Sequence, residues 1–475
     1  MMRDYMMGDR MGSLEDALAD GLRLDGTAET YPAAGPILWS NGRELVMDAG
    51  DAHTLIISST GGGKTVSQIM PMLRATIKAG ESLLVTDVKG GELYESAFPY
   101  LKQQGYNVWV VNMREPLHGA RYNPLELPFQ LLNREEPELR SAGHQMLVQV
   151  TDLLILGDLS NDPYWDRTAR DTFLGLAYYL AYLDNGKTTL GNIYDLFCEM
   201  RDNEDLFLKK LKVRLAERYN HPPGKNALLD GAARLLRTRL FSSSSPRTSS
   251  SIDSVLAQKL NDFIGNPLQM DFLSGNDLDF DKLSDERTAV FLLLPDETDV
   301  WNTHASLLVM QVYQQLCMLS THYPDKKLPH RFNFILEEFG NLYLGHDAAA
   351  IFSAGRSRNL RVTAVIQNFS QLEHRYGAAV ADTIRYNCNN WIYLHSKDLA
   401  TLRQLSELCG TYTLLHDGVT RPTASISQLQ RIPQGQALIL QGRKAPYLTD
   451  LAPIWSYPET APSEAAVYPK RRSST

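Results

Sequence analysis

One segment constrains this chain more than any other: Ser58-Ser59-Thr60-Gly61-Gly62-Gly63-Lys64-Thr65, placed directly after the apolar run Thr54-Leu-Ile-Ile57. It fits the pattern G-x-x-x-x-G-K-[ST] at every position but the first, where Ser58 stands in place of glycine. The chemistry explains the residue types. Small residues from Thr60 through Gly63 let backbone N–H groups point inward at phosphates, Lys64 supplies a point charge to the β- and γ-phosphates, and the Thr65 hydroxyl ligates Mg²⁺. The helix that follows adds the positive end of its dipole. Three glycines alone would be satisfied by a flexible turn; a strand before them and a helix-length segment after them call for an α/β fold that binds ATP and Mg²⁺.

Such a loop needs an acidic partner on a second strand. Phe334-Ile-Leu-Glu337-Glu338 provides one. Glu337 is expected to hold the Mg²⁺ and Glu338 to polarise the attacking water as general base. Aspartate is the usual residue at the first of these positions, so Glu337, with its longer side chain, is a departure. Two acids ending a strand are often only a solvated edge; their pairing with the loop is what gives them meaning. Gln367 ends a further apolar run, Val362–Ile366, and is expected to sense the γ-phosphate and orient water. Arg356, in Ser353-Ala-Gly-Arg356-Ser-Arg358, is the candidate arginine finger reaching into a neighbouring subunit's site, with Arg358 in reserve. A surface role or a nucleic-acid phosphate contact would also suit both arginines.

Around these motifs the chain divides by character. The first 30 residues are polar and Met-rich and are expected to be poorly ordered. Residues 31–125 carry short β-rich runs, among them Ser82–Asp87 and Asn107–Val111, separated by helix-length segments. Residues 126–285 show apolar residues at helical spacing over Leu139–Leu156, Tyr164–Leu183, Ile193–Phe207, Ala227–Phe241 and Ile252–Phe263, with no strand between. The serine-rich Ser242–Ser251 reads as a loop ending in an N-cap. Strand-like runs resume over 286–455. The economical reading is one α/β domain with a central, mostly parallel sheet and an all-α domain inserted into it, followed by a flexible tail at 456–475 that holds Lys470-Arg471-Arg472.

Net charge is -8 over 475 residues, which argues against a protein that coats nucleic acid but not against a grip through a few loops inside a ring. The four cysteines are scattered without metal-ligand spacing, which suits a reduced, intracellular protein. The N-terminus has acids where a signal peptide would be apolar, and no run reaches the ~18 apolar residues of a membrane span.

Several further segments resemble consecutive signatures of the type IV coupling proteins, the TraG-like ATPases of conjugation and type IV secretion. These are Asp87-Val-Lys89-Gly90-Gly-Glu92-Leu93-Tyr94, Gln104–Val108, Arg121-Tyr-Asn123-Pro124-Leu125, Pro163–Ala169, Phe334–Leu342 and Ser353–Gln371. The resemblance covers roughly Asp51 to Ile454. It implies a RecA-like motor domain with an inserted all-α domain, and a homo-hexameric ring coupling ATP hydrolysis to delivery of DNA with its attached relaxase, or of protein effectors, into a secretion channel. By position it implies a nucleotide-binding pair in Lys64 and Thr65, an acidic pair in Glu337 and Glu338, a trans-acting Arg356 and a motif glutamine in Gln367. Family members usually begin with transmembrane helices and this chain shows none. The expectation is therefore a cytoplasmic protein held at the membrane's cytoplasmic face by channel membrane proteins. Single-stranded DNA is the expected cargo. A double-stranded DNA translocase of the FtsK/HerA type and a protein-effector receptor are the alternatives.

Overall fold

The computed structural model describes residues 6–156, 163–184, 189–217, 223–237, 246–345, 348–415 and 418–469. Its strands, in chain order, are β1 (Met6–Gly8), β2 (Leu22–Asp25), β3 (Ile37–Ser40), β4 (Glu44–Met47), β5 (His53–Ser58), β6 (Ser82–Asp87), β7 (Asn107–Asn112), β8 (Thr288–Leu293), β9 (Phe332–Leu336), β10 (Leu360–Ile366), β11 (Cys388–His395), β12 (Thr411–Leu414), β13 (Thr420–Pro422), β14 (Gln436–Gln441) and β15 (Tyr447–Asp450). Nine of them form one sheet in the order β15-β14-β11-β5-β10-β9-β6-β8-β7. From β11 to β7 every neighbouring pair is parallel; β14 and β15 close one side with antiparallel pairings.

The apolar runs read from the sequence are continuous because both faces of this sheet are buried. Successive residues alternate between two cores. Leu55, Ile57, Leu84, Val111, Phe334, Leu336 and Ile366 face the helical block and the helix Asn302–Ser320. Ile56, Val85, Val110, Ile335 and Val365 face the helices Met70–Lys78 and Glu92–Gln103. Every residue of β5, β6, β8, β9 and β10 is buried, so the edge where these strands end is rigidly placed.

The helical segments between 126 and 283 fill the crossover from β7 to β8, two strands that are themselves neighbours. Two details differ from the sequence reading. Ile193–Phe207 is not one helix: it breaks at Asn203, whose side chain accepts from Leu206 N–H and caps the second helix, Glu204–Ala216. The next helix in the serine-rich region starts at Pro246, so Thr248–Ser251 are helical rather than loop; Phe241 and Ser242–Ser245 lie outside the described residues.

Both chain ends depart further from expectation. Residues 6–30 are built into the molecule: β1 pairs with β12, Leu14–Leu18 is a helix capped by Ser13, and β2 joins β4 and β3 in a three-stranded sheet. The segment 456–469 is a strap rather than a free tail. It runs along the helix Glu92–Gln103, with Glu459 bonded to Arg74 (2.9 Å) and Tyr100 (2.8 Å), Glu464 to Lys102, and Tyr468 to Glu95 (2.9 Å), while Tyr94 donates to the carbonyl of Val467 (2.8 Å). Lys470–Arg472 lie outside the described residues.

Candidate nucleotide site

The ends of β5, β9 and β10 carry the Gly-rich loop, the acidic pair and Gln367, but not Arg356, to one edge of the sheet. The acidic strand β9 does not touch β5, because β10 lies between them. A residue at the end of β10 therefore falls between the Gly-rich loop and the acidic pair. Ligands bind at this carboxyl edge in open α/β sheets.

The loop is shaped by its glycines. Gly61 and Gly63 have φ of +80° and +84°, which L side chains rarely adopt. A Cβ on Gly62 would stand 2.4 Å from Ser58 Oγ. This contact explains how Ser58 is accommodated at the first motif position: its buried hydroxyl packs where Gly62 leaves room. Thr60 and Gly61 form the exposed tip. The segment after the loop opens with a π-helical turn, Thr65–Ile69, before the α-helix Met70–Lys78, a deviation often found at functional sites.

Lys64, Thr65, Glu337, Glu338 and Gln367 come together. Lys64 is buried and ion-paired with Glu338. Glu338 also accepts from Gln367 Nε2 at 2.9 Å. Thr65 Oγ1 donates to Glu337 Oε1 at 3.0 Å. Glu338 sits at φ 52°, ψ 43°, a left-handed conformation that costs a non-glycine residue about 1 kcal/mol or more. Strain of this kind collects at functional sites, and here the turn lets two consecutive acids serve different partners.

Glu337 is almost wholly buried, and its second carboxylate oxygen, Oε2, has no hydrogen-bond partner. Burial pushes its pKa up to about 7, against the opposing charges of Lys64 and Lys89 and the Thr65 hydrogen bond. An orphaned carboxylate oxygen beside a buried threonine hydroxyl fits a divalent cation. Among the described residues no group of three or more His, Cys, Asp or Glu could hold a metal by itself, but magnesium is commonly held by one or two side chains together with phosphate oxygens. The departure from aspartate at this position is thus compatible with the metal role.

The cost of keeping Glu337 ionised has a testable sign. Its folded pKa lies above the unfolded value of about 4.5, so its contribution is fully favourable below pH 4.5 and lost as pH rises through about 7. In EDTA and without nucleotide, Glu337→Gln is expected to stabilise the protein by roughly 1–3 kcal/mol at pH 8 and hardly at all at pH 5. Thermal melts at the two pH values test this; an equal shift at both would remove the ionisation account.

Lys89 joins the site although only its motif, not its role, was read from the sequence. Asp87, at the end of β6, accepts from the N–H groups of Leu93 (2.9 Å) and Tyr94 (3.0 Å) and so clamps the start of the helix Glu92–Gln103. The intervening loop turns back, and Lys89 Nζ reaches Thr65 Oγ1 at 3.3 Å. A signal was present: a lysine two residues past the end of a central strand. Lys89→Ala is expected to lower kcat/KM for ATP about tenfold or more, with Lys89→Arg retaining part of it; unchanged kinetics in the alanine variant would exclude a role in the site.

Arg356 is not brought to the site of its own chain. It lies in a short 3₁₀ turn before β10, whereas Gln367 follows β10, and the seven residues of that strand span about 20 Å. Exposed on the surface, it pairs with the equally exposed Asp51 at 2.9 Å. Arg358 donates to the carbonyl of Ala354 at 3.0 Å.

A RecA-like α/β fold is the class that this sheet order and edge define. Residues 18–440 match the family model described as "Type IV secretory system Conjugative DNA transfer", and the chain belongs to that family. Among curated relatives, Protein VirD4 of Agrobacterium fabrum is 26% identical over 364 residues, 76% of this chain and 50% of that protein. The type IV secretion system-coupling protein VirD4 of Bartonella quintana is 22% identical over 419 residues, 88% of this chain and 61% of that protein. The chain spans about half the length of the first curated relatives it matches. Of solved structures, the plasmid coupling protein TrwB in complex with a non-hydrolysable ATP analogue superposes with TM-score 0.68 at 16% identity, covering 98% of each chain. TrwB in complex with ADP and Mg²⁺ gives TM-score 0.67 at 16% identity with the same coverage. At this identity the likeness establishes the fold. Among the described residues no helix is long and apolar enough to cross a membrane.

Proposed function

We propose that this chain is the ATP-hydrolysing motor of a coupling protein that recruits DNA, together with its bound relaxase, and drives it into a type IV secretion or conjugation channel. The observation that carries the reading is the convergence of Lys64, Thr65, Glu337, Glu338 and Gln367 on one sheet edge, in a chain of the conjugative DNA-transfer family. The nucleotide complexes of the similarly folded TrwB support ATP and Mg²⁺ as its ligands.

Lys64 would take the β- and γ-phosphate oxygens, which releases Glu338 from its ion pair. Glu338 then accepts a proton from the water that attacks the γ-phosphorus, while Gln367 orients that water. A new P–O bond forms from the water oxygen, the bond to the bridging oxygen breaks, and its electron pair leaves with ADP. Thr65 and Glu337 would hold the magnesium ion, which supplies neutralisation of phosphate charge. Because Arg356 is remote from its own site, a head-to-tail ring, in our reading a homo-hexamer, would supply it from the neighbouring chain. The motor would act on single-stranded DNA at the cytoplasmic face of the membrane, docked through channel membrane proteins.

Hydrolysis by the purified chain, measured against protein concentration with and without DNA, tests this. The expected result is specific activity that rises with concentration and is stimulated more by single-stranded than by double-stranded DNA. Preferential stimulation by duplex would favour a double-stranded translocase. Indifference to all DNA would favour an effector receptor, and absence of hydrolysis under every condition would end the motor reading.

A further inference from the structure

The helical block holds a groove of about 750 Å³, none of whose lining residues belongs to the nucleotide edge. It lies among the helices Pro137–Ile155, Pro163–Asp184 and Pro223–Leu235. Its floor is aliphatic, from Leu132, Val148, Leu174, Leu228 and Leu235. Three arginines, Arg140, Arg170 and Arg234, line it, and among the described residues no carboxylate does.

The arginines are not equally occupied. Arg170 is held by Asp152 at 2.8 Å and Asp171 at 2.9 Å. Arg140 donates to backbone carbonyls of Arg134 and Glu135, and Arg234 to that of Asp230. Neither appears in an ion pair among the described residues, so two positive charges face the groove without a carboxylate. Tyr178 is already stacked on His144, with ring centroids 5.6 Å apart and planes at 26°. Partial desolvation, and then the charges of Arg170 and Arg234, hold the His144 imidazole below its ordinary range, so the groove's charge comes from its arginines. Two glycines keep it open. The nearest atoms to a Cβ on Gly231 would be those of the Tyr178 ring at 3.6 Å, and to one on Gly224 those of Arg140 at 3.5 Å.

We infer that this groove is a docking site for an acidic, amphipathic peptide segment of a partner protein, with aliphatic side chains on the floor and carboxylates on Arg140 and Arg234. Charge complementarity fixes the sign of the ligand: an aliphatic floor rimmed by arginines takes a segment with apolar residues at i, i+3 or i+4 and flanking acids. Nucleic acid fits less well, because strands without sequence preference are held by aromatic faces free to stack on bases, and the tyrosine here is taken by His144. The volume is within the range of specific ligand pockets. The inference depends on the helical block and not on the nucleotide site, so the two can fail separately.

The test uses the full chain and fluorescence anisotropy with three labelled probes: a twelve-residue helical peptide of leucines and glutamates, the same peptide with lysines for glutamates, and oligothymidylate. The acidic peptide is expected to bind, the lysine peptide not. Arg140→Glu with Arg234→Glu should weaken the acidic peptide at least tenfold. Gly231→Met, which fills the groove from a helical position without crowding backbone, should do the same, while ATP hydrolysis stays at the wild-type level in both variants. An unchanged melting temperature shows that the variants fold, whether or not the chain hydrolyses ATP. Overturning results are an acidic peptide that does not bind, one that binds the variants as well as the parent, or oligothymidylate losing affinity in them instead, which would make the groove a nucleic-acid seat.

Discussion

Lys64→Ala is expected to reduce ATP hydrolysis by the purified protein to background. The side chain is buried at the sheet edge and its ammonium is ion-paired with Glu338, while Lys89, the other lysine in contact with the site among the described residues, is directed to Thr65 instead. Loss of the charge would remove the proposed phosphate anchor and leave Glu338 with Gln367 as its hydrogen-bond partner. Removing one member of a poorly solvated ion pair also destabilises, by up to a few kcal/mol, so a melting curve must accompany the kinetics. A folded variant with near-wild-type hydrolysis would sink the assignment of this loop as the catalytic nucleotide site.

The second large effect is expected at Arg356. Its exposed pairing with Asp51 is worth little to stability, so Arg356→Ala should fold and melt like the parent. If the side chain completes the site of a neighbouring subunit, turnover should nevertheless fall by roughly 10³-fold or more. Mixing gives the decisive comparison. Arg356→Ala and Lys64→Ala are each expected to be inactive, but in a randomly mixed head-to-tail ring roughly a quarter of the interfaces would combine an intact Lys64 with an intact Arg356. Recovered activity on mixing is the expected outcome. Activity lost in Arg356→Ala and never recovered would place the arginine elsewhere, and activity unaffected by the substitution would make it a surface residue.

The parts of this molecule that were readable in its sequence are those governed by local pattern. Strands buried on both faces appear as largely apolar, non-alternating runs, so β5, β6, β8, β9 and β10 could be placed. Glu337, Glu338 and Gln367 follow directly from such strands, and Lys64 and Thr65 follow β5 across the Gly-rich loop, so their assembly then depends on strand order. β2 was missed because it is short and half exposed, with Leu22 and Leu24 as its only apolar residues. The break at Asn203 was missed because helical spacing continues through it, while a single capping hydrogen bond decides the boundary. Lys89 was visible as part of a motif, yet its role depends on Asp87 turning the chain back, which no periodicity records. The strap at 456–469 was hidden by its composition: its anchors Arg74, Tyr100 and Lys102 lie more than 350 residues earlier in the chain, and pairings over such a separation leave no local trace.

That strap has a practical consequence. Its last anchored residue, Tyr468, rests against Glu95, and a Cβ on Gly91 would come within 2.7 Å of its hydroxyl. Gly91 opens the helix whose first turn Asp87 clamps and whose preceding loop carries Lys89 to Thr65. A dye attached at the exposed position 469, as Pro469→Cys, would therefore sit next to the element that borders the Gly-rich loop, and its spectrum is expected to register movement of that element during turnover. The strap thus offers a handle from which the nucleotide edge can be watched without altering any residue in it.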